Sequence, residues 1–255
     1  MSDAAFYQSM FDFSGRTVLV TGGARGIGFA IAEACATWGA DVLIADVNGA
    51  SAETSASKLR DAGLKARGRA CDVTDSSAVA ALFNAHQIDV VVNNAGVSAR
   101  IPAEEYPDAD LKKMLDLNVN GVFYVMREAA KRWIADKREG AIINLASLAG
   151  VVADPLSAPY AASKGAVVQL TRTCAVEWAK HNIRVNAIGP GYVRTEMTAH
   201  TLDQPEARAV INAKTAMGRP ADTREIAGAA VYLASKASSY VTGAILMVDG
   251  GWTAM

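Results

Sequence analysis

Thr17-Val18-Leu19-Val20-Thr21-Gly22-Gly23-Ala24-Arg25-Gly26-Ile27-Gly28-Phe29-Ala30-Ile31-Ala32 carries the turn on which the fold depends. Its first five residues are β-branched and apolar, the pattern of a buried strand. Its last residues place small and apolar side chains where a helix packs by one face. Glycines 22, 26 and 28 lie between the two. Lacking a Cβ, they let the backbone turn tightly and let a pyrophosphate approach the helix N-terminus, where free N–H groups and the helix dipole favour an anion. A plain turn also uses glycine, but the position between strand and helix points to a nucleotide site.

A second strand, Asp41-Val42-Leu43-Ile44-Ala45-Asp46, ends on an acid 18 residues after Gly28. A carboxylate there accepts hydrogen bonds from the ribose hydroxyls of an adenosine and repels a 2′-phosphate. Val47 supplies no compensating base, so the expected cofactor is NAD rather than NADP. Arg25 points the other way, because a guanidinium pairs a phosphate. Asp46 is given more weight because it would sit against the ribose. The plainer alternative is a surface Asp that caps the next helix.

Further out, strands and helices alternate. Strands are expected at 17–21, 41–45, 66–71, 88–92, 141–146, 183–188 and 244–248. Helices are expected at about 26–38, 49–62, 76–85, 108–117, 119–137, 158–180 and 223–234. That order argues an α/β fold: one doubly wound, parallel, seven-stranded sheet covered on both faces. The whole of 1–255 is expected to form one dinucleotide-binding and catalytic domain. Its longest loop-like region, 190–220, is expected to be a substrate lid, with Met197 and Leu202 as apolar lining. Local packing is the alternative for those two.

The chemistry lies in the second half. Tyr160 and Lys164, at i and i+4, share a helix face. An ammonium near a phenol favours the phenolate, so the tyrosine is expected to titrate below its reference value of about 10 and to exchange a proton with an alcohol or carbonyl oxygen. Ser147, thirteen residues earlier, ends an apolar run and offers a hydroxyl to the same oxygen. Alone, this spacing fits an ordinary helix with a phenol and a solvated amine. The nucleotide loop upstream changes that balance.

With these motifs in hand, the chain resembles the short-chain dehydrogenase/reductase family over about residues 11–253. The cofactor loop is similar at Gly22, Arg25, Gly26, Ile27 and Gly28, and the adenine-contacting pair at Asp72 and Val73. Asn94, Ala95 and Gly96 match the end of the fourth strand. Pro190, Gly191, Val193 and Thr195 match the segment that holds the nicotinamide carboxamide, and Val248-Asp249-Gly250-Gly251 the C-terminal ending. The resemblance implies a catalytic set of Asn118, Ser147, Tyr160 and Lys164. In it Tyr160 moves the proton, Lys164 binds the nicotinamide ribose and lowers the tyrosine pKa, Ser147 holds the reacting oxygen, and Asn118 interrupts its helix and fixes a water. Only the segment between the third and fourth strands looks short.

Bulk properties set the exclusions. A net charge of −1 gives no reason to expect nucleic acid or an anionic membrane as partner. Cys35, Cys71 and Cys174 are odd in number and sit in apolar contexts, so small core residues are expected. His86, His181 and His200 have no metal-like spacing, and no metal is expected. The cluster Lys131, Arg132, Lys137 and Arg138 is mixed with acids and reads as a solvated helix face. Trp38, Trp133 and Trp178 read as packing. The first dozen residues show no basic segment followed by an apolar run, and no apolar stretch nears a membrane span; cytoplasmic placement is the expectation.

The expected function is NAD(H)-dependent interconversion of a secondary alcohol, a polyol or sugar alcohol, and its ketone. The alternatives are a 3-oxoacyl-[acyl-carrier-protein] reductase using NADPH and a non-catalytic nucleotide-sensing protein. A homotetramer is expected, paired through Phe123, Val125 and Ala129 on one helix and Ala166, Leu170 and Trp178 on another, with the C-terminal strand and tail as a second surface.

Overall fold

The computed structural model describes residues 3–255. Seven strands form one sheet: β1 Thr17–Thr21, β2 Asp41–Asp46, β3 Lys65–Ala70, β4 Val90–Asn93, β5 Gly140–Leu145, β6 Ile183–Pro190 and β7 Ile245–Val248. All neighbours are parallel, in the order β3-β2-β1-β4-β5-β6-β7. The chain winds outward from β1 in one direction and from β4 in the other. The carboxyl ends of β1 and β4 therefore part at the point where such sheets bind ligands.

The strand sequences explain the double cover. Side chains alternate across a sheet, and the central strands are apolar at nearly every position because both faces are buried, with Asn93 and Asn144 pairing each other where polar groups do occur. Val18 and Val20 enter one core with Ile44, Val92 and Ile143, beneath α2 (Gly26–Thr37), α3 (Gly49–Asp61) and α10 (Thr223–Ala234). Leu19 points the other way, into a second core with Leu43, Val91 and Ile142, beneath α4 (Ser76–Ala85), α6 (Val122–Ala135) and α7 (Ala158–Trp178). The helix starts are chemically marked. Asn48 accepts from Ser51 N–H at 3.0 Å and Asp75 from Ser77 N–H at 2.8 Å, while Asp222 and Glu225 form a reciprocal cap on α10.

Several expectations change. The α-helical pattern at 108–137 is interrupted around Asn118 by a change of pitch, not by a break in the rod. It continues from α5 (Asp108–Leu115) through a wide π turn, Asp116–Gly121, into α6. The region 190–220 is not a loop throughout: Glu196–Leu202 forms α8 and Pro205–Ala213 forms α9. A short helix, α1, spans Asp3–Ser9. Val125 and Ala129, expected on an outer face, are buried against the sheet in the second core, so they are not available for pairing. Trp133 is buried, its indole N–H donating to the Ile88 carbonyl at 2.7 Å, while Trp38 is half exposed against Phe11. All three cysteines are free and buried. Among the described residues no helix is long and apolar enough to cross a membrane, and no group of three or more His, Cys, Asp or Glu side chains is placed to hold a metal.

Candidate active site

The nucleotide half of the crevice is built mostly from backbone. Gly22 leaves β1 at φ +59°, and a Cβ there would come within 2.8 Å of Ala95 Cα. A Cβ on Gly28 would lie 2.5 Å from both Asn94 Nδ2 and the Gly22 carbonyl oxygen. The Asn94 amide donates to the carbonyls of Thr21 at 3.1 Å and Gly22 at 2.9 Å, and the Thr21 hydroxyl accepts from the N–H groups of Asn94 and Ala95. The loops after β1 and β4 are thus stitched across the switch point, with the first turn of α2 opening beside them. That Cβ-free cradle and its helix N-terminus fit a pyrophosphate.

Asp46 ends β2, partly buried, and one of its oxygens accepts from the Asn48 N–H at 3.1 Å. The helix cap is Asn48 rather than Asp46, so the carboxylate keeps acceptor capacity at the strand end. Arg25, whose charge argued for a phosphate, is exposed and pairs Glu196 of α8 at 2.6 Å. Asp72 folds onto its own turn, accepting from the N–H and hydroxyl of Thr74, and Val73 is buried against Gly121.

The other half is built from side chains. One cleft is lined by Ile27, Asn94, Gly96, Ser147, Tyr160, Lys164, Pro190, Gly191, Val193, Thr195 and Met197. It therefore brings together residues from the ends of β4, β5 and β6 and from α2, α7 and α8. Ser147 is buried; its hydroxyl caps a short turn by accepting from the Ala149 N–H at 3.2 Å. Asn118, on the π turn, is fully buried. Its oxygen accepts from the Val97 N–H at 2.9 Å, and its amide donates to the Val97 carbonyl at 2.9 Å and to Ser163 Oγ at 3.1 Å. Ser163 in turn donates to the Tyr160 carbonyl at 2.7 Å. Asn118 so ties the floor of the cleft to the helix that carries Tyr160.

The electrostatics depart from expectation. Lys164 is buried, donates from Nζ to the Leu145 carbonyl at 2.7 Å, and burial pushes its ammonium down to about 8. Its Nζ lies 5.8 Å from the Tyr160 ring centre. The Tyr160 phenol is raised, not lowered: burial is the largest cause, the Ser147 hydroxyl pulls it back, and Asp154 and Tyr192 add to the rise. Pairing the tyrosine with the lysine neglects desolvation, which disfavours the charged form of both groups.

The lid expectation divides. Met197 lines the cleft and is 57% exposed, but Leu202 is fully buried and faces the interior. Thr195 begins α8 with a reciprocal cap formed with Thr198. Three neighbouring residues carry no sequence motif: Arg100, Asp154 and Tyr192, each on a different loop, converge by hydrogen bonds beside the cleft. His86 lies away from the cleft, half-buried near Arg67.

Comparison with known proteins bears on the family and the fold. A family profile described as enoyl-(acyl carrier protein) reductase matches residues 22–253. Gluconate 5-dehydrogenase of Gluconobacter oxydans (strain 621H) is 40% identical over 252 residues, covering 97% of this chain and 98% of that protein. Galactitol 2-dehydrogenase (L-tagatose-forming) of Cereibacter sphaeroides is 41% identical over 253 residues, with coverage of 97% and 98%. A crystal structure of a gluconate 5-dehydrogenase from Burkholderia cenocepacia J2315, in complex with NADP and tartrate, superposes with a TM-score of 0.94 at 38% identity, covering 98% of this chain and 99% of that one. With its parallel seven-stranded sheet and matches along nearly its whole length, the chain belongs to the short-chain dehydrogenase/reductase family of oxidoreductases.

Proposed function

We propose that this protein interconverts a secondary hydroxyl of a polyol and the corresponding ketone, with NAD(H) as its cofactor. The observation that carries the reading is the meeting of Ser147, Tyr160 and Lys164 on one cleft that continues into the glycine cradle. The cradle from Gly22 to Gly28 would hold the pyrophosphate, Asp46 the adenosine ribose, Asp72 and Val73 the adenine, and Asn94 to Gly96 with Pro190 to Thr195 the nicotinamide end. When bound, the nicotinamide supplies the hydride acceptor or donor.

This chain's residues supply the rest. In oxidation Tyr160, in its phenolate form, takes the proton of the substrate hydroxyl as hydride leaves the same carbon, and in reduction the phenol gives that proton back. Ser147 donates to the reacting oxygen and holds it against the phenol. Lys164 places a positive charge on the cofactor side of the phenol. Asn118 fixes the Gly96–Val97 backbone and, through Ser163, the turn of α7 that presents Tyr160. Segment 190–220, now two short helices, covers the substrate side as a lid.

Relatives named for galactitol, threitol and gluconate support a polyhydroxylated substrate. The cofactor reading rests on Asp46; against it stand Arg25 and the NADP named in three neighbouring structures. Arg25 is also what favours the second reading, a 3-oxoacyl-[acyl-carrier-protein] reductase using NADPH. A panel of polyols, secondary alcohols and 3-oxoacyl thioesters, assayed with each nucleotide at the nicotinamide absorbance, separates them. Polyol turnover with NAD supports the first, and thioester reduction with NADPH alone replaces it. Assembly as a tetramer in the cytoplasm is part of the same proposal. The apolar groove of Leu111, Leu115, Val119 and Ala166 on α5, the π turn and α7 supports pairing, and sedimentation at micromolar concentration tests it.

A further inference from the structure

We propose that Asp154 sets the charge class of the substrate: by matching the Arg100 guanidinium beside the cleft, it favours uncharged polyols and ketoses over sugar acids. The inference rests on the reading of the cleft given above and narrows it. Arg100 follows β4, three residues beyond the cleft-lining Val97. Asp154 lies between Ser147 and Tyr160, and Tyr192 between the cleft-lining Gly191 and Val193. Three loops at the carboxyl ends of three strands thus meet on the substrate side.

Three of the five N–H donors of the guanidinium are engaged there. Nη1 donates to Asp154 Oδ2 at 3.1 Å and to Tyr192 Oη at 3.0 Å, and Nη2 donates to the Pro155 carbonyl at 2.9 Å. Tyr192 Oη also reaches Asp154 Oδ1, at 3.4 Å, and its ring packs on Trp252 with centroids 5.4 Å apart. The Asp154 side chain is only 14% exposed and that of Arg100 38%, so bulk salt screens the pair incompletely. An unmatched arginine in this place would form a bidentate pair with a substrate carboxylate. With Asp154 present, that carboxylate must displace an internal partner or lie beside a like charge, whereas a hydroxyl finds acceptors and donors at no such cost. The other arginines on segments bordering the cleft are also matched, Arg25 by Glu196 and Arg194 by Asp203. Lys164 is the one cation among the cleft-lining residues, and it is held to the Leu145 carbonyl.

The test compares kcat/KM for galactitol and D-threitol with that for D-gluconate, in the unaltered protein, in Asp154→Asn and in Asp154→Asn combined with Arg100→Gln. The unaltered protein is expected to favour the polyols by about tenfold or more. Asp154→Asn should shrink that preference by about tenfold, mainly through a lower KM for gluconate, and the double variant should restore it. A general structural defect would lower all three efficiencies without moving their ratio. A preference for gluconate in the unaltered protein overturns the inference and leaves the dehydrogenase reading standing. So does an Asp154→Asn ratio within about threefold of the unaltered one. If neither class is turned over with either nucleotide, both fall. A measurement on the unaltered protein stands apart from the variants: gluconate should slow polyol turnover only at concentrations about tenfold or more above the polyol KM, and competition at polyol-like concentrations overturns the inference.

Discussion

The two halves of the crevice achieve recognition by different means. At the carboxyl end of β1, where it parts from β4, the site is a shape: glycines whose missing Cβ atoms leave room, and a loop held by the Asn94 amide. Its one ion pair, Arg25 with Glu196, has side chains 75% and 73% exposed, a setting in which such pairs add little stability. Between β4 and β6 the site is a set of buried groups: Asn118, Ser147 and Lys164 are all withdrawn from water, and burial shifts both Lys164 and Tyr160. The first half responds to volume, in graded steps. The second responds to ionisation, where loss of one atom removes a function.

The sharpest way to break the contrast is Tyr160→Phe, which keeps the ring and removes only the oxygen. Turnover is expected to fall at least about a hundredfold, with nucleotide binding, followed by quenching of protein fluorescence, nearly intact. Turnover within a few-fold of the unaltered protein would move the proton transfer elsewhere. Gly28→Ala attacks the other half by volume alone. Its methyl would sit 2.5 Å from two fixed atoms, and overpacking of about 1–3 kcal/mol should weaken nucleotide binding roughly tenfold to a hundredfold. An unchanged nucleotide Kd would mean the cradle yields freely.

Asp46→Ala should raise the efficiency with NADP relative to NAD by about tenfold, the loss of one repulsive element. If the unaltered protein already prefers NADP, Arg25 outweighs Asp46, and the exposed half is set by charge after all. The smallest effect is expected from Lys164→Met, read as stability instead of rate. The native ammonium titrates at about 8, and an unfolded lysine at about 10.4. Between those values the unfolded chain holds more protons, so the contribution of Lys164 to stability rises with pH through that window and is lost as pH falls through 8. Lys164→Met should lack that rise. At neutral pH it should change stability by only about 1 kcal/mol, because removing a buried charge offsets the lost bond to Leu145. Melting temperatures across the pH range decide it, and parallel curves for the two proteins would argue against a buried, charged lysine.

The central sheet was legible because parallel strands buried on both faces are apolar at nearly every position, as in Val18-Leu19-Val20. The glycine cradle was legible because the absence of Cβ is itself written in the sequence. Region 190–220 was not, although Pro205 at the start of α9 was an available signal. Its other helix begins with a Thr195–Thr198 cap instead of the more familiar serine and glutamate, and Leu202 looked like lining because nothing local distinguishes an inward from an outward leucine. The raised phenol was out of reach for a different reason: spacing brings Lys164 near Tyr160, but burial is a property of the whole fold. Arg100 and Asp154 are 54 residues apart and meet only because their strands are neighbours in the sheet.

The π turn at Asp116–Gly121 has a consequence for how the chain tolerates change in length. A π turn holds about one residue more than an α turn, and each residue of a helix turns the axis by about 100°. Deleting any single residue between 116 and 121 would let the rod from Asp108 to Ala135 become regular, a local gain in hydrogen bonding. Because the surplus residue is held within one turn, α5 and α6 would keep their phase, and Met126 and Trp133 would stay over the sheet. What would be lost is the widened turn that carries the Asn118 amide onto Val97. The surplus residue thus places a polar side chain in the cleft floor without disturbing the packing of the helices on either side.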